Sequence, residues 1–522
     1  MPNRSTDALF QLIHSLQKSE KRNFKLYVKR NSSNNDLKVV QLFDAIDKMS
    51  SYDENALMQK TSSIKKQQLP NIKAHLYRQI LGSLRLLESS ENIDIQLHEQ
   101  LDFARILYNK GLYHQSLKIL ERIKEIAIAN NQIHFRIEVL IIEKKIETLH
   151  ITRSMQDRAD ALSDDVNDSN VQLVKQSKLS NLALQLYSWY IKNGLARNND
   201  DEKEIEDYFQ KYLTQEIKSP EGFYEKLYYH QSYCWYAFIR QDYLMYYRHT
   251  QKWVDLFTEE PSMVQIETGN YIKGLHNLLN AHFTIRNYPG FEKTLILFEE
   301  FSNSDIVKLN DNNKIQVFVY LYIARINQHF LEGTFKEGLK MVPEITKQLE
   351  EYSLFLDQHR TLIFYYKIAS LYFGAGDFDN AIDYLNKIIN WKVNLRNDLQ
   401  CYARLLHLIA HYELGNFQLL EYLTKTVYRF MAKMQNLSLV EEEIFKFLRK
   451  SFYMSARKLK PEFEKLLNTI KEFETSKFET RAFAYLDIIS WLESKVTDKP
   501  VYEIIREKYL KGRKLTNDKN RV

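Results

Sequence analysis

The chain has 522 residues and a mass of 62.4 kDa, enough for three or four ordinary domains or one elongated array of repeats. It holds only 13 glycines and 8 prolines, where average usage would supply roughly three times as many; sandwiches, barrels and glycine-cradled nucleotide folds, which need many tight turns, are disfavoured. Two distant cysteines, Cys234 and Cys401, exclude a disulfide framework and a paired-cysteine metal knuckle, and the net charge of +6 rules out a strongly polyanionic or polycationic protein.

The first residues, MPNRSTDALFQLIHSL, have no uninterrupted apolar run or small-residue cleavage site of a secretion leader. No stretch approaches the roughly 20 apolar residues that cross a bilayer. With reduced thiols, these features predict a soluble, cytoplasmic protein without membrane contact. The charge is uneven: residues 1–90 hold 15 Lys and Arg against 8 Asp and Glu, and residues 506–522 hold 7 against 2. The interval between them holds 51 against 57.

Residues 1–92 read as a basic helical head domain of four or five helices. Ser5-Thr6-Asp7 opens one over 8–16, Ser19-Glu20 a second over 21–30, and a third covers 37–49. Asp53-Glu54 opens a short helix, and Pro70-Asn71 precedes a long one ending near residue 88; the boundary falls in the polar stretch 89–92. The second helix carries a basic patch of Lys21, Arg22, Lys25, Lys29 and Arg30, with Phe24, Leu26 and Val28 as apolar surface. Such a patch fits either phosphate contacts or a solvated helix face. The segment NIKAHLYRQILGSLRLL, flanked by Lys65 and Lys66, has the look of a recognition helix. The stretch before it, 61–69, is too long for the turn of a helix-turn-helix.

From residue 93 a repeat governs the chain. Its clearest unit, YKIASLYFGAGDFDNAIDYLNKII, places Tyr365, Ile368, Ala369 and Tyr372 on one helical stripe. The turn Gly376-Asp377-Phe378 follows, then Ala381, Leu385 and Ile388 on a second stripe. ARILYNKGLYHQSLKILERIKEI, with turn Gly111-Leu112-Tyr113, is a second copy. Taking the aromatic after the turn as an anchor, weaker copies appear at Tyr243, Tyr288, Phe335 and Phe417. A degenerate copy falls at Met155, and a missing unit belongs near Ala196. The mean period is about 43 residues. Five positions before the anchors stand Tyr108, His150, Phe238, Phe283, Phe330, Phe373 and Tyr412, an independent check on the frame.

These units resemble the tetratricopeptide repeat, a helix–turn–helix unit with glycine and an aromatic at the turn and small residues where the helices cross. The period exceeds that family's 34 residues. The resemblance implies an all-α protein: a right-handed α-solenoid of antiparallel helix pairs over 93–496, behind the helical head. The rhythm continues as helices over 440–458 and 461–473, then 478–495 and 500–510, leaving 497–522 as a terminal helix and a disordered basic tail.

The resemblance also implies that the first helix of each pair lines a concave groove. Residues 223–253 hold 12 aromatics. Carried onto them, the frame points Tyr228, Trp235 and Phe238 into the groove and Tyr233 and Cys234 into the core, with Asn280 fixing a partner's backbone. Phe283, Phe330, Phe373 and Tyr412 fit the groove as well as the gaps between helices; Tyr and Phe serve both purposes.

Nucleotide-binding, zinc-protease, hydrolase and EF-hand motifs are absent from the sequence. His407 and His411, four apart with Cys401 upstream, have metal-ligand spacing but no third ligand, and read as core histidines. The expectation is a non-enzymatic scaffold or adaptor holding a peptide or protein surface in its concave face, with no metal or cofactor. The alternative is a regulator whose basic N-terminal domain binds DNA or another anionic partner while the solenoid senses a peptide.

Overall fold

Every regular element among the described residues is a helix, and no strand occurs among them. The computed structural model describes residues 7–30, 36–61, 63–88, 92–149, 157–391, 396–434, 437–452, 454–479, 483 and 487–519. Residues 89–91 of the expected boundary stretch 89–92, and the repeat positions His150 and Met155, lie outside them. None of the described helices is long and apolar enough to cross a membrane. Packing divides the chain into two compact units, Met1–Asn167 and Asp168–Val522.

The first unit opens with α1 (Ala8–Ser15), α2 (Lys18–Arg30), α3 (Asp36–Asp47), α4 (Glu54–Lys60) and α5 (Leu69–Glu88). Asp7 and Asp53 start α1 and α4 by accepting hydrogen bonds from the two amides beyond, Leu9 and Phe10 for one, Asn55 and Ala56 for the other. Leu9, Ile13, Phe24, Val28, Leu42, Phe43, Ile46, Leu57, Leu76 and Ile80 form their shared core. Phe24 and Val28, expected on an apolar surface with Leu26, are buried in it, whereas Leu26 is 46% exposed. The reason is periodicity: four residues share a helix face, and two do not. α6 (Ile93–Asn109), α7 (Tyr113–Ala129) and α8 (Ile133–Leu149) then pack in succession around Leu101, Ala104, Leu120, Ile123 and Val139.

α9 (Arg158–Asn193) spans the division between the units. Beyond it come α10 (Asn199–Tyr212), α11 (Phe223–Ile239), α12 (Tyr243–Glu259), α13 (Met263–Ile266), α14 (Thr268–Thr284), α15 (Tyr288–Ser302) and α16 (Asp305–Lys308). α17 (Asp311–Glu332), α18 (Phe335–Gly338), α19 (Val342–Glu351), α20 (Gln358–Ala375), α21 (Phe378–Ile389), α22 (Asn397–Glu413) and α23 (Phe417–Lys433) follow. The last are α24 (Leu439–Ser451), α25 (Ala456–Glu472), α26 (Ile488–Thr497) and α27 (Val501–Lys519). Neighbours in sequence are neighbours in space: α11 packs on α12, α12 on α14, α14 on α15 and α17, α20 on α21, and α21 on α22.

One backbone turn recurs through both units. Gly111, Gln241, Arg286, Gly333, Gly376 and Gly415 have φ between 54° and 84°. Each stands two residues before the first residue of a helix: Tyr113, Tyr243, Tyr288, Phe335, Phe378 or Phe417. The intervening amide, from Leu112, Asp242, Asn287, Thr334, Asp377 or Asn416, donates to the carbonyl five residues back at 2.9–3.1 Å. This is the 6→1 hydrogen bond of the Schellman motif, which needs a left-handed residue just beyond the helix. Across four of these turns the anchor ring meets the ring five positions earlier. Centroids are 5.6 Å apart for Tyr108–Tyr113, 5.8 Å for Phe330–Phe335, 5.3 Å for Phe373–Phe378 and 6.0 Å for Tyr412–Phe417.

Toward the C-terminus the helices depart from the sequence expectation. Pro461 lies inside α25 and not in its first turn. The run Ala-Arg-Lys-Leu-Lys before it favours helix, and the proline removes only the one bond to the Arg457 carbonyl. α27, expected to end near Leu510 in a disordered tail, runs to Lys519. It packs back on α15, α17 and α20, and that docking supplies what apolar periodicity alone does not.

Candidate functional site

Within the second unit α9, α11, α14, α17 and α20 surround a cavity of about 950 Å³. Four of the positions that line it recur in one register on α11, α14, α17 and α20. Five residues before each anchor stand Phe238, Phe283, Phe330 and Phe373; eight before, Trp235, Asn280, Asn327 and Ser370. Twelve before come Gln231, His276, Ile323 and Tyr366, and fifteen before, Tyr228, Lys273, Tyr320 and Ile363. Steps of three and four residues keep all four positions on one helix face. α9 adds Tyr187 and Tyr190, and α27 adds Val501 and Ile505.

Seven of the eight groove residues expected from sequence, Tyr228, Trp235, Phe238, Asn280, Phe283, Phe330 and Phe373, line this cavity. Tyr412 does not. It is buried, with its ring 6.2 Å from that of Phe463 and 6.5 Å from that of Trp491, because α24, α25 and α26 supply a core over α22. The other members of the same register on α22, Tyr402, Leu405 and Ile409, are equally buried. Cys234 is buried as expected, and Tyr233 stacks on His249 with centroids 4.3 Å apart.

The amides of the cavity are held in place from behind. Buried Tyr246 donates its hydroxyl to Asn277 Oδ1 at 2.9 Å and receives Asn280 Nδ2 at 3.4 Å; Asn277 Nδ2 donates to the Lys273 carbonyl at 2.7 Å. Gln231 donates to Asn270 Oδ1 at 3.1 Å, and Asn270 in turn to Glu267 at 2.7 Å. Groups tied in this way lose little freedom when a ligand arrives.

The lining carries Lys273, Arg286, Arg360, Lys367 and Arg396 against Asp357 and Asp487. Arg396 is balanced by Asp398, with paired hydrogen bonds at 2.9 and 2.8 Å. Arg360 reaches Asp357 at 2.9 Å. Lys367 is different. Its ammonium donates to Asn327 Oδ1 at 2.5 Å and sits over Phe330 and Phe283, 5.1 and 5.5 Å from their centroids. Burial pushes its pKa down to about 8. His276, on the facing α14, is driven down to about 3, first by burial and then by the charges of Lys367 and Arg360. The cavity is therefore electropositive as well as aromatic.

Sequence reasoning found the aromatic row but missed Lys367, Arg360, His276 and Asn327. The frame that located Phe330 would have located Asn327 and His276 had it been read at eight and twelve positions before the anchors. Lys367 lies one residue outside that register, so no such signal marked it.

The basic patch of α2 is partly neutralised within its own unit. Lys21 pairs with Asp47 and Lys25 with Asp44, each at 2.6 Å, whereas Arg22, Lys29 and Arg30 are exposed. Lys73 of α5 pairs with Asp7 and donates to the Tyr52 hydroxyl at 2.8 Å. His407 and His411 have ring centroids 4.5 Å apart; His407 is buried and held down to about 4, and His411 Nδ1 lies 3.0 Å from the Asn416 amide nitrogen. No group of three or more metal-binding side chains gathers among the described residues. In comparisons of the sequence with family models and with curated proteins, none matches.

Proposed function

We propose that the chain is a non-enzymatic, tetratricopeptide-like scaffold of the cytoplasm whose helix pairs stack as a solenoid and hold a peptide or protein segment against α11, α14, α17 and α20. The observation that carries this reading is the register: α11, α14, α17 and α20 devote the same four positions to one cavity. Side chains chosen only to fill a core have no reason to leave a cavity of about 950 Å³ between aromatic rings and tethered amides. Partner side chains would be buried against Trp235, Phe238, Phe283, Phe330 and Phe373, with Asn280 bonding the partner's backbone. Neither buried cysteine forms a disulfide, which accords with a reducing compartment. The ion pairs of Lys21 and Lys25 weaken the alternative in which α2 grips DNA.

Affinity purification of the full chain beside the triple variant Tyr228→Ala, Trp235→Ala, Phe238→Ala tests the proposal, with circular dichroism as the control for folding. Partners captured by the wild type should be lost from a folded variant. Capture of every partner at wild-type levels would remove the cavity from the binding surface.

A further inference from the structure

Lys367 is a half-buried cation of the cavity lining that, among the described residues, is shown with no anion beside it. Among the described residues no carboxylate reaches its ammonium; the only polar partner shown is the neutral Asn327 amide, and two phenylalanine rings flank it. Both carboxylates of the lining are committed elsewhere. Asp357 accepts from the Arg360 amide at 2.7 Å and its guanidinium at 2.9 Å, and Asp487 accepts from the Ser490 amide at 2.9 Å and hydroxyl at 2.8 Å. Burying an unpaired charge is costly, and a methionine would fill much the same volume without that cost. A lysine here makes physical sense if the missing negative charge comes from outside the chain.

We propose that the cavity receives a carboxylate carried on an apolar body, the carboxylate meeting Lys367 and the body lying along Phe238, Phe283, Phe330 and Phe373. The inference rests on the cavity being the binding face and adds the chemistry of its occupant. One unpaired ammonium, between aromatic rings and beside an amide, matches a monoanion with a large apolar group better than a dianionic phosphate. Arg360, seven residues earlier on the same face of α20, adds to the positive potential but already has Asp357. The same carboxylate chemistry is found at the C-terminus of a peptide ending in an apolar residue and in a small aromatic acid.

The test uses full-length protein and four probes: a degenerate octapeptide pool ending in Phe as free acid, the same pool as C-terminal amide, 3-phenylpropionate, and 3-phenylpropionamide. Retention of peptides is read by mass spectrometry after size exclusion, and the small probes by calorimetry and Trp fluorescence. Free acids should bind about ten- to a hundredfold more tightly than amides, the loss expected when a charged hydrogen bond is removed. Preference for the acid pool assigns the site to a peptide terminus; preference confined to 3-phenylpropionate assigns it to a small acid. Lys367→Met should abolish the preference while melting no lower than wild type. Asn327→Asp, which places a carboxylate on the ammonium from within, should abolish it too.

Equal binding of acids and amides, binding of neither, or an undiminished preference in both variants overturns the inference. Peptides that bind equally as acid and amide, and fail to bind the Tyr228/Trp235/Phe238 variant, would leave the groove standing and remove only the carboxylate.

Discussion

Lys367 ties stability to function at a single side chain. Its folded pKa, about 8, lies below the ordinary lysine value of 10.5, so the unfolded chain holds that proton more tightly. The resulting penalty is complete below pH 8 and is relieved as the pH rises from about 8 to 10.5. Lys367→Met should therefore melt a few degrees above wild type at pH 7, and the gap should narrow across that window when followed by calorimetry. Six buried or half-buried histidines of the second unit act in the same sense at lower pH. His230 and His276 are held down to about 3, and His249, His282, His359 and His407 to about 4, in each case chiefly by burial. Stability is then full above pH 6.5 and falls as the pH drops toward 4, because the unfolded chain takes up protons that the fold refuses. Urea midpoints measured between pH 7 and 5 should decline, with a slope approaching ~1.4 kcal/mol per pH unit for each histidine. A flat profile would mean that these rings accept protons in place.

At the scale of the element, the turn decides what the sequence revealed. A left-handed residue is required between paired helices, and glycine supplies it at Gly111, Gly333, Gly376 and Gly415. Gln241 and Arg286 adopt the same conformation without glycine, and there only the aromatic anchors Tyr243 and Tyr288 betrayed the turn. Two substitutions of opposite sign follow. Gly376→Ala, at φ 84° with open space around its Cβ, should cost about 1 kcal/mol by urea denaturation from backbone strain alone. Arg286→Gly should gain a comparable amount, since the only ion pair shown for its exposed side chain is a 3.8 Å contact with Asp487. Gly374 is another case: a Cβ there would lie 2.3 Å from the Phe335 ring, so Gly374→Ala should destabilise by several kcal/mol through steric overlap between α18 and α20. The row of rings was legible because its members stand at one fixed distance before the turns, and Phe330 and Phe373 also pack across theirs. The cations between them seal nothing, and Tyr412 shows the limit of the frame. Its neighbour in register, Ile409, had already replaced the Asn280, Asn327 and Ser370 of the preceding units by an aliphatic side chain, a cue that α22 is covered.

Across the second unit as a whole, α27 is the element that sequence could not place. Apolar periodicity reports which face of a helix is buried, never against what. Its docking is made of specific contacts: Tyr509 packs on Tyr288 with centroids 4.9 Å apart, Arg506 donates to the Glu332 carbonyl at 3.2 Å, and Arg513 pairs with Glu292 at 2.8 Å. Gly333 admits this approach; a Cβ on it would stand 2.6 Å from the Tyr502 carbonyl oxygen. The double variant Ile505→Asp, Tyr509→Asp should release the helix. Hydrogen exchange would then rise in α15, α17 and α20 while α6, α7 and α8 keep their wild-type protection. Protection unchanged in α17 would show that α27 adds nothing to the stability of the helices it covers.

The return of α27 also sets a clock. A chain made from its N-terminus completes α20 at Ala375 but cannot bring Tyr509 to Tyr288 until the far end has emerged. At roughly 5–20 residues per second that interval is on the order of ten seconds. Through it the apolar patch awaiting Ile505 and Tyr509 stays open to water and to other nascent chains. For that time the newborn protein depends on whatever else in the cell will cover such a surface.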